Sequence, residues 1–237
     1  MADESAKKHE DFETPGLSGT RGRRIYFVRH GMTDWNKQFR YQGSTDIPLC
    51  EEGERQAQRA ARRLARLGAV RIVSSPLRRS LRTAEILAAE LGSPKVEVWQ
   101  DLTEVDFGGW EGLTVAQIKA RYGDESFEKW RSEQLDVTAP EGEDVAHAYE
   151  RAQIAAGKLL GAEDESMIVV GHGAFFRVLM LPIIRMPRCS LFWRMRLDNC
   201  SISAFDVDKQ KRASVTYLND TLHMLTPFSD IADLPLA

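Results

Sequence analysis

Three short runs constrain this chain more than any other feature: Ile25-Tyr26-Phe27-Val28, Val70-Arg71-Ile72-Val73 and Met167-Ile168-Val169-Val170. Each is rich in β-branched side chains and almost free of polar alternation. A strand with one wet face alternates apolar and polar residues, whereas a strand covered on both faces reads as a continuous apolar run. Between these runs lie helical periods. Ala57, Ala60, Ala61, Leu64 and Ala65 form one apolar stripe in a helix over 54–67, ended by Gly68. Leu77, Leu81, Ala84, Leu87, Ala88 and Leu91 form a second, ended by Gly92, and Val145, Ala148, Ala152, Ala155 and Leu159 a third over 143–160. Another helix begins at Ala174 and should bend or break at Pro182. Val96–Trp99, Ser201–Val207 and Ala213–Tyr217 complete the strands. Strands alternating with helices imply an α/β fold, here a three-layer αβα arrangement with a mostly parallel central sheet.

The chain has 237 residues, 43% of them hydrophobic, which suits one sizeable domain. Residues 1–22 are polar and punctuated by Pro15, Gly16, Gly19 and Gly22, and read as a flexible tail ahead of a domain over 23–237. The pattern weakens in the middle. Short helices are expected near 115–121 and 126–131, and the stretch of about 105–142 reads as a small helical cap inserted over the sheet's C-terminal edge. In open α/β sheets that edge is where ligands bind.

Two histidines sit at that edge in matching contexts. His30 follows Ile25–Arg29 and precedes Gly31; His172 follows Met167–Gly171 and precedes Gly173. A glycine after each would let backbone approach a ligand closely. Arg29 adjoins His30, and Arg78 follows Ser75-Pro76-Leu77 at the end of the second run; their guanidinium forks suit a phosphate dianion. Arg79 and Arg82 read as surface residues. The Gly-rich segment Leu102–Gly112 offers Glu104, Asp106 and Glu111, and spacing alone leaves all three open as the proton donor that a phosphohistidine reaction requires.

These motifs together resemble the histidine phosphatase superfamily, in its phosphoglycerate-mutase-like branch. Phe27-Val28-Arg29-His30-Gly31-Met32-Thr33-Asp34-Trp35-Asn36 is similar to its Arg-His-Gly signature, with Met32 where glutamate is common. Tyr41–Leu49, Ser75–Arg79, Leu102–Gly112 and Val169–Gly173 resemble four further family segments in the same order, and the likeness spans about residues 24–225. The resemblance implies a phosphoglycerate mutase-like fold and a phosphohistidine formed on His30. It implies that Arg29, Arg78 and a protonated His172 surround the phosphoryl oxygens, and that Glu104 is general acid and then base. Thr33 and Asn36 would add neutral hydrogen bonds, and Gly31, Gln42, Gly43 and Gly173 would complete the phosphate-binding set. Backbone hydrogen bonding at Gly31 would fix the tautomer of His30. Two arginines and a charged imidazole can supply what a metal supplies elsewhere, so no metal and no cofactor is expected. Because Glu104 must donate a proton, an acidic-to-neutral optimum is expected.

The acid segment Phe107–Gly112 resembles small-metabolite phosphatases more than glycolytic mutases, and 112–143 holds Lys119, Arg121, Lys129 and Arg131 but no adjacent arginine pair. A phosphatase acting on a small phosphorylated metabolite is therefore favoured; a cofactor-dependent phosphoglycerate mutase is the alternative. A non-enzymatic phosphate- or nucleic-acid-binding module is the remote one, prompted by nine arginines and one glutamate over 53–82. The net charge of −3 and the lack of interleaved aromatics argue against nucleic acid. Apolar runs fall far short of the roughly 18–20 residues that span a bilayer, so no membrane partner is expected. Three cysteines without CxxC spacing fit a reducing cytoplasm. Leu191-Phe192-Trp193 with Met186 and Met195 suits either a homodimer patch or core packing.

Overall fold

The computed structural model describes residues 22–68, 70–93, 95–131, 138–187 and 194–233. The N-terminal tail expected over 1–22 lies outside these apart from Gly22, as does the Leu191–Trp193 part of the expected homodimer patch.

Six strands form one sheet: β1 (Arg23–Arg29), β2 (Arg71–Ser74), β3 (Val96–Val98), β4 (Ser166–Gly171), β5 (Ile202–Val207) and β6 (Ala213–Asp220). Their order is β3-β2-β4-β1-β5-β6. β3, β2, β4 and β1 run parallel, while β5 and β6 are antiparallel additions beyond β1. The sheet is thus mostly parallel, as the apolar runs imply, with an antiparallel hairpin on one edge.

The helices are α1 (Asp34–Lys37), α2 (Glu51–Leu64), α3 (Arg78–Leu91), α4 (Val115–Tyr122), α5 (Asp124–Arg131), α6 (Val145–Gly161), α7 (Gly173–Ile183) and α8 (Leu222–Leu225). Strand alternation divides the core. Tyr26, Val28, Ile72, Ile168 and Val170 face α2 and α3, while Ile25, Phe27, Val73, Met167 and Val169 pack with α6, α7 and the 102–130 segment. Phe27 meets Phe176 and Phe205 edge-on, at centroid distances of 5.2 and 5.3 Å. α7 runs through Pro182 and ends one residue later, at Ile183. A break is avoided because proline falls in the last turn, where little helix remains to be disrupted.

The middle segment carries α4 and α5 and fixes them with aromatics. Trp110 packs against Tyr41, Phe127 and Trp130 at 5.7–5.9 Å. These rings join the same core that lies under α6 and α7. The capping box of Thr114 with Gln117 starts α4, and Gly123 ends it.

The basic 53–82 stretch is largely consumed internally. Arg55 pairs with Glu51 and Glu52, Arg62 with Glu90, Arg71 with Glu97 and Asp164, and Arg82 with Glu54 and Glu85. Arg63 is buried against Asp220, and Arg59 donates to the carbonyls of His223, Met224 and Thr226. These two arginines of α2 clamp the C-terminal segment. No helix among the described residues is long and apolar enough to cross a membrane.

Candidate active site

The parallel register decides the site. Arg29 on β1 is level with Gly171 on β4, so His30 and His172 leave the sheet on the same rung. The His30 amide donates to the Gly171 carbonyl at 2.9 Å, and the imidazole centroids are 5.3 Å apart. A cavity of about 350 Å³ opens over this edge. Arg29, His30, Asn36, Gln42, Gly43, Arg79, Glu104 and Gly173 line its base; Phe39, Val115, Trp130, Val145, Ala148 and Val178 supply apolar wall.

His30 Nδ1 lies 2.7 Å from the Gly31 carbonyl, which can only accept, so Nδ1 holds the proton and Nε2 keeps its lone pair. Burial, with the Arg79 and Arg29 charges beside it, pushes His30 well below its ordinary value and keeps it neutral. His172 is fully buried, with Nε2 at 2.7 Å from Ser75 Oγ and 3.2 Å from Ser80 Oγ, while Nδ1 has no partner. Burial first, then Arg79, His30 and Arg29, push His172 down as well. Burial thus favours the neutral form of both imidazoles in the protein without a bound anion.

Arg29 donates to the Leu197 carbonyl at 2.6 Å, and its Nε is buried without a partner. Burial lowers it to about 10, so it remains a cation at neutral pH. The expected second arginine requires correction. Arg78 is exposed, its backbone amide is held by Asp46 Oδ1 at 2.7 Å, and its side chain lies beside Leu81 and Arg82, away from the cavity. Arg79, expected on the surface, is fully buried and donates to the Thr45 and Gly43 carbonyls at 2.8 and 2.7 Å. The reason is helical phase. Arg79, Ser80, Thr83, Ala84 and Leu87 form the buried face of α3, and a step of one residue back turns Arg78 out of it.

Of the three acidic candidates, the fold brings only Glu104 to the cavity. Its carboxylate accepts from the amides of Val105, Ala174 and Phe175 at 3.0, 3.2 and 2.7 Å, the last two at the start of α7. Glu111 is spent on the 43–45 turn, accepting from the amides of Ser44, Thr45 and Phe107. Asp106 accepts from the Gly108 amide.

Thr33 and Gly31 also differ from expectation. Thr33 is wholly buried and does not line the cavity; it caps α1 and hydrogen-bonds Asn36. Asn36 does line it, with Oδ1 held by Thr33 and by Asn199 Nδ2, so its own Nδ2 is left for a ligand. A Cβ at Gly31 would come within 2.3 Å of the Gly53 carbonyl, so this glycine exists for packing against α2 and not for ligand approach. Gly173 does serve the site: a Cβ there would press on Arg29 Nε at 3.2 Å. Gly43, at φ +53°, turns its carbonyl to Arg79, and Glu111 fills the space of any side chain there. Gln42 lines the cavity with a buried Oε1 that has no partner.

Sequence reasoning missed Asn199, whose Nδ2 also donates to the His30 carbonyl at 3.0 Å, and Arg177, which lines the cavity from α7. It also missed Trp130, which walls the cavity while Trp110 is sealed in the core. The polar residues Ser80 and Thr83 inside the apolar period of α3 were the available signal for Arg79. No group of three or more His, Cys, Asp or Glu side chains could hold a metal ion among the described residues.

Around the ends of two parallel strands of a mixed α/β sheet the fold gathers two imidazoles, two guanidiniums and a buried carboxylate, a class of site suited to an anion. Comparison with known proteins gives that class its family. The profile of the histidine phosphatase superfamily, branch 1, matches residues 25–221, and the chain belongs to that family. It is 33% identical over 215 residues to a probable phosphoglycerate mutase of Proteus mirabilis, covering 88% of this chain and 96% of that one. It is 34% identical over 212 residues to a bifunctional protein of Mycobacterium tuberculosis, of whose length the match spans 57%. Among solved structures, the mycobacterial glucosyl-3-phosphoglycerate phosphatase complexed with VO3 superposes with a TM-score of 0.76 at 29% identity, over 84% of this chain and all of that one. A phosphoserine phosphatase of Entamoeba histolytica gives 0.74 at 27%, over 85% and 99%.

Proposed function

We propose that this protein is a metal-independent phosphomonoester hydrolase that works through a phosphohistidine on His30 and acts on a small phosphorylated metabolite. The observation that carries the reading is the state of His30: Nδ1 is committed to the Gly31 carbonyl, and burial beside two guanidiniums keeps the ring neutral, so Nε2 is a nucleophile at rest. In this reading Nε2 forms a bond to phosphorus as the ester P–O bond breaks, and Glu104 gives its proton to the departing alkoxide. Water then attacks phosphorus, Glu104 takes a proton from it, the N–P bond breaks, and inorganic phosphate leaves. Arg29, Arg79, Asn36 Nδ2 and the unpartnered His172 Nδ1 are the donors for the phosphoryl oxygens. Phosphatase neighbours in the family support hydrolysis over transfer. The buried free thiols of Cys50 and Cys200 support a reducing, cytoplasmic setting.

The test is phosphate release from p-nitrophenyl phosphate with EDTA present. Activity is expected in the wild type and a loss of at least about 10⁴-fold in His30→Ala, as for removal of other enzyme nucleophiles. Activity abolished by the chelator, or retained by His30→Ala, would sink the reading. The second reading, phosphoglycerate mutase, is favoured by the likeness to probable phosphoglycerate mutases. Net interconversion of 2- and 3-phosphoglycerate faster than phosphate release would select it.

A further inference from the structure

Glu104 stands on a stretch that no regular structure holds. Residues 103–107 lie between short helical turns at Gln100–Leu102 and Gly108–Trp110, outside any strand or helix. The carbonyls and amides of such a stretch need partners from elsewhere. One ion pair supplies them on both sides of the acid. Arg151, in the second turn of α6, donates through Nη1 to the carbonyls of Asp101 and Thr103, at 3.0 and 2.9 Å. Its Nε and Nη2 donate to Oε1 and Oε2 of Glu143, each at 2.8 Å, a parallel two-point pair. Glu143 carries the grip past Glu104. Its amide donates to the Asp106 carbonyl at 2.9 Å, and its Oε2 accepts from the Asp106 amide at 3.4 Å.

The same guanidinium meets the far end of the acid's hydrogen bonds. Its carbon lies 4.4 Å from the ring centroid of Phe175, the residue whose amide makes the shortest bond to the Glu104 carboxylate, 2.7 Å. Directly or through Glu143, Arg151 thus meets the chain before Glu104, the chain after it and the helix start that receives its carboxylate. With side chains 19% and 10% exposed, the pair is shielded from the salt and water that loosen a surface pair. Neither residue lines the cavity. The helix is seated without them, by Ala148, Ala152, Ala155 and Leu159 in the core, so the pair is free to serve the loop.

We infer that Arg151 and Glu143 are positioning residues for the proton donor: their ion pair holds Glu104 where its proton reaches the departing oxygen. The inference rests on the proposed role of Glu104 as general acid. Proton transfer needs the donor within a hydrogen-bond length, and a misplacement of about 1 Å can cost about 10²-fold. The signature of such a role is dependence on the leaving group. An alkoxide is too strong a base to leave without a proton, so cleaving the P–O bond of an alkyl phosphate needs the donor in place. p-Nitrophenolate is a weak base and leaves with its electron pair unprotonated. At initial rate, kcat/KM reads the steps up to this cleavage, so the later task of Glu104, activating water, does not enter.

The experiment compares kcat/KM for benzyl phosphate and p-nitrophenyl phosphate, two esters of similar size, in the wild type, Glu104→Gln, Arg151→Met and Arg151→Lys, with EDTA present. In Arg151→Met the benzyl ester is expected to lose about 10²-fold and the p-nitrophenyl ester no more than about threefold. Glu104→Gln should show the same selectivity more strongly, and Arg151→Lys should recover part of the benzyl loss. Should Arg151→Met fail to fold, Glu143→Gln takes its place, with a selective loss of about tenfold. Equal losses on the two esters in these variants, beside a selective loss in Glu104→Gln, would overturn the inference and leave the donor reading standing. Equal losses in Glu104→Gln would overturn the donor reading and the inference with it. Amide hydrogen exchange needs no turnover. Val105, whose amide donates to the Glu104 carboxylate, should exchange at least about tenfold faster in Arg151→Met relative to Phe27 of β1. Exchange quickened by the same factor at both would mean that the pair supports the whole fold and does not position the acid, and the inference would fall.

Discussion

His30 and His172 leave neighbouring parallel strands on the same rung, and the fold ties them down in different ways. His30 is held through Nδ1 by the carbonyl of the next residue, a partner with one possible role. His172 is held through Nε2 by two hydroxyls, Ser75 and Ser80, which can donate or accept. The glycines that follow differ too: Gly31 is small because Gly53 of α2 lies against it, and Gly173 because Arg29 does. A carbonyl clamp fixes one tautomer and leaves a lone pair on Nε2, the nucleophile of the proposed reaction. Hydroxyl clamps leave the second ring free to change protonation when a dianion arrives, which suits a group that answers charge rather than creating a bond.

The comparison breaks first at the nucleophile. If the two rings were interchangeable, His30→Ala and His172→Asn would cost alike. The expected costs are unequal: at least about 10⁴-fold for His30→Ala, and about 10²- to 10³-fold for His172→Asn, the scale for removing one oxyanion donor. Steady-state phosphate release in EDTA measures both. Equal losses would mean that the clamps do not separate the roles.

The arginines beside these rings sharpen it. Arg79→Ala should lower kcat/KM by about 10²-fold, while Arg78→Ala should stay within about twofold. The reverse ranking would return the second arginine to the position suggested by motif alone.

That pair also marks the limit of what the sequence discloses. The strands, the two strand-end histidines, Arg29 and the αβα layering are legible because burial on both sheet faces writes continuous apolar runs, and the strand end follows from them. Glu104 is narrowed by resemblance but not by spacing; its selection over Glu111 depends on which carboxylate the 43–45 turn consumes. Arg78 and Arg79 differ by one 100° step, and an adjacent pair of identical residues carries no phase of its own. Arg177 lies in an apolar helix, Gly173–Ile183, where a cation is as easily a snorkelling side chain as a ligand. The antiparallel edge is legible as two late strands joined by a turn at 208–212, but not its pairing with β1, since that is a property of the partner and not of the run.

The smallest effect concerns stability, and here the two rings are expected to agree before they differ. His30 and His172 are both pushed well below their ordinary value by burial, and His223, wholly buried with Nε2 donating to the Cys200 carbonyl, is lowered to about 4. A histidine lowered in the folded state destabilises the fold in acid. Above about pH 6.5 both folded and unfolded chains hold it neutral and stability is full; as pH falls below 6.5 the unfolded chain takes up a proton that the folded one refuses. Each such histidine should cost about 1.4 kcal/mol per pH unit below that point, and His223, refusing its proton down to about pH 4, about 3 kcal/mol in all. Urea unfolding at pH 7, 6 and 5 measures the slope, and His30→Asn, His172→Asn and His223→Gln should each reduce it by one proton. Saturating inorganic phosphate then separates the two rings. A bound dianion offers its charge to the unpartnered Nδ1 of His172, whereas the one uncommitted nitrogen of His30 is Nε2, which in the proposed reaction meets phosphorus without a proton, so phosphate should flatten the slope of His30→Asn more than that of His172→Asn. Equal flattening in the two variants would mean that the anion acts on both imidazoles alike and that the hydroxyl clamp confers no distinct response.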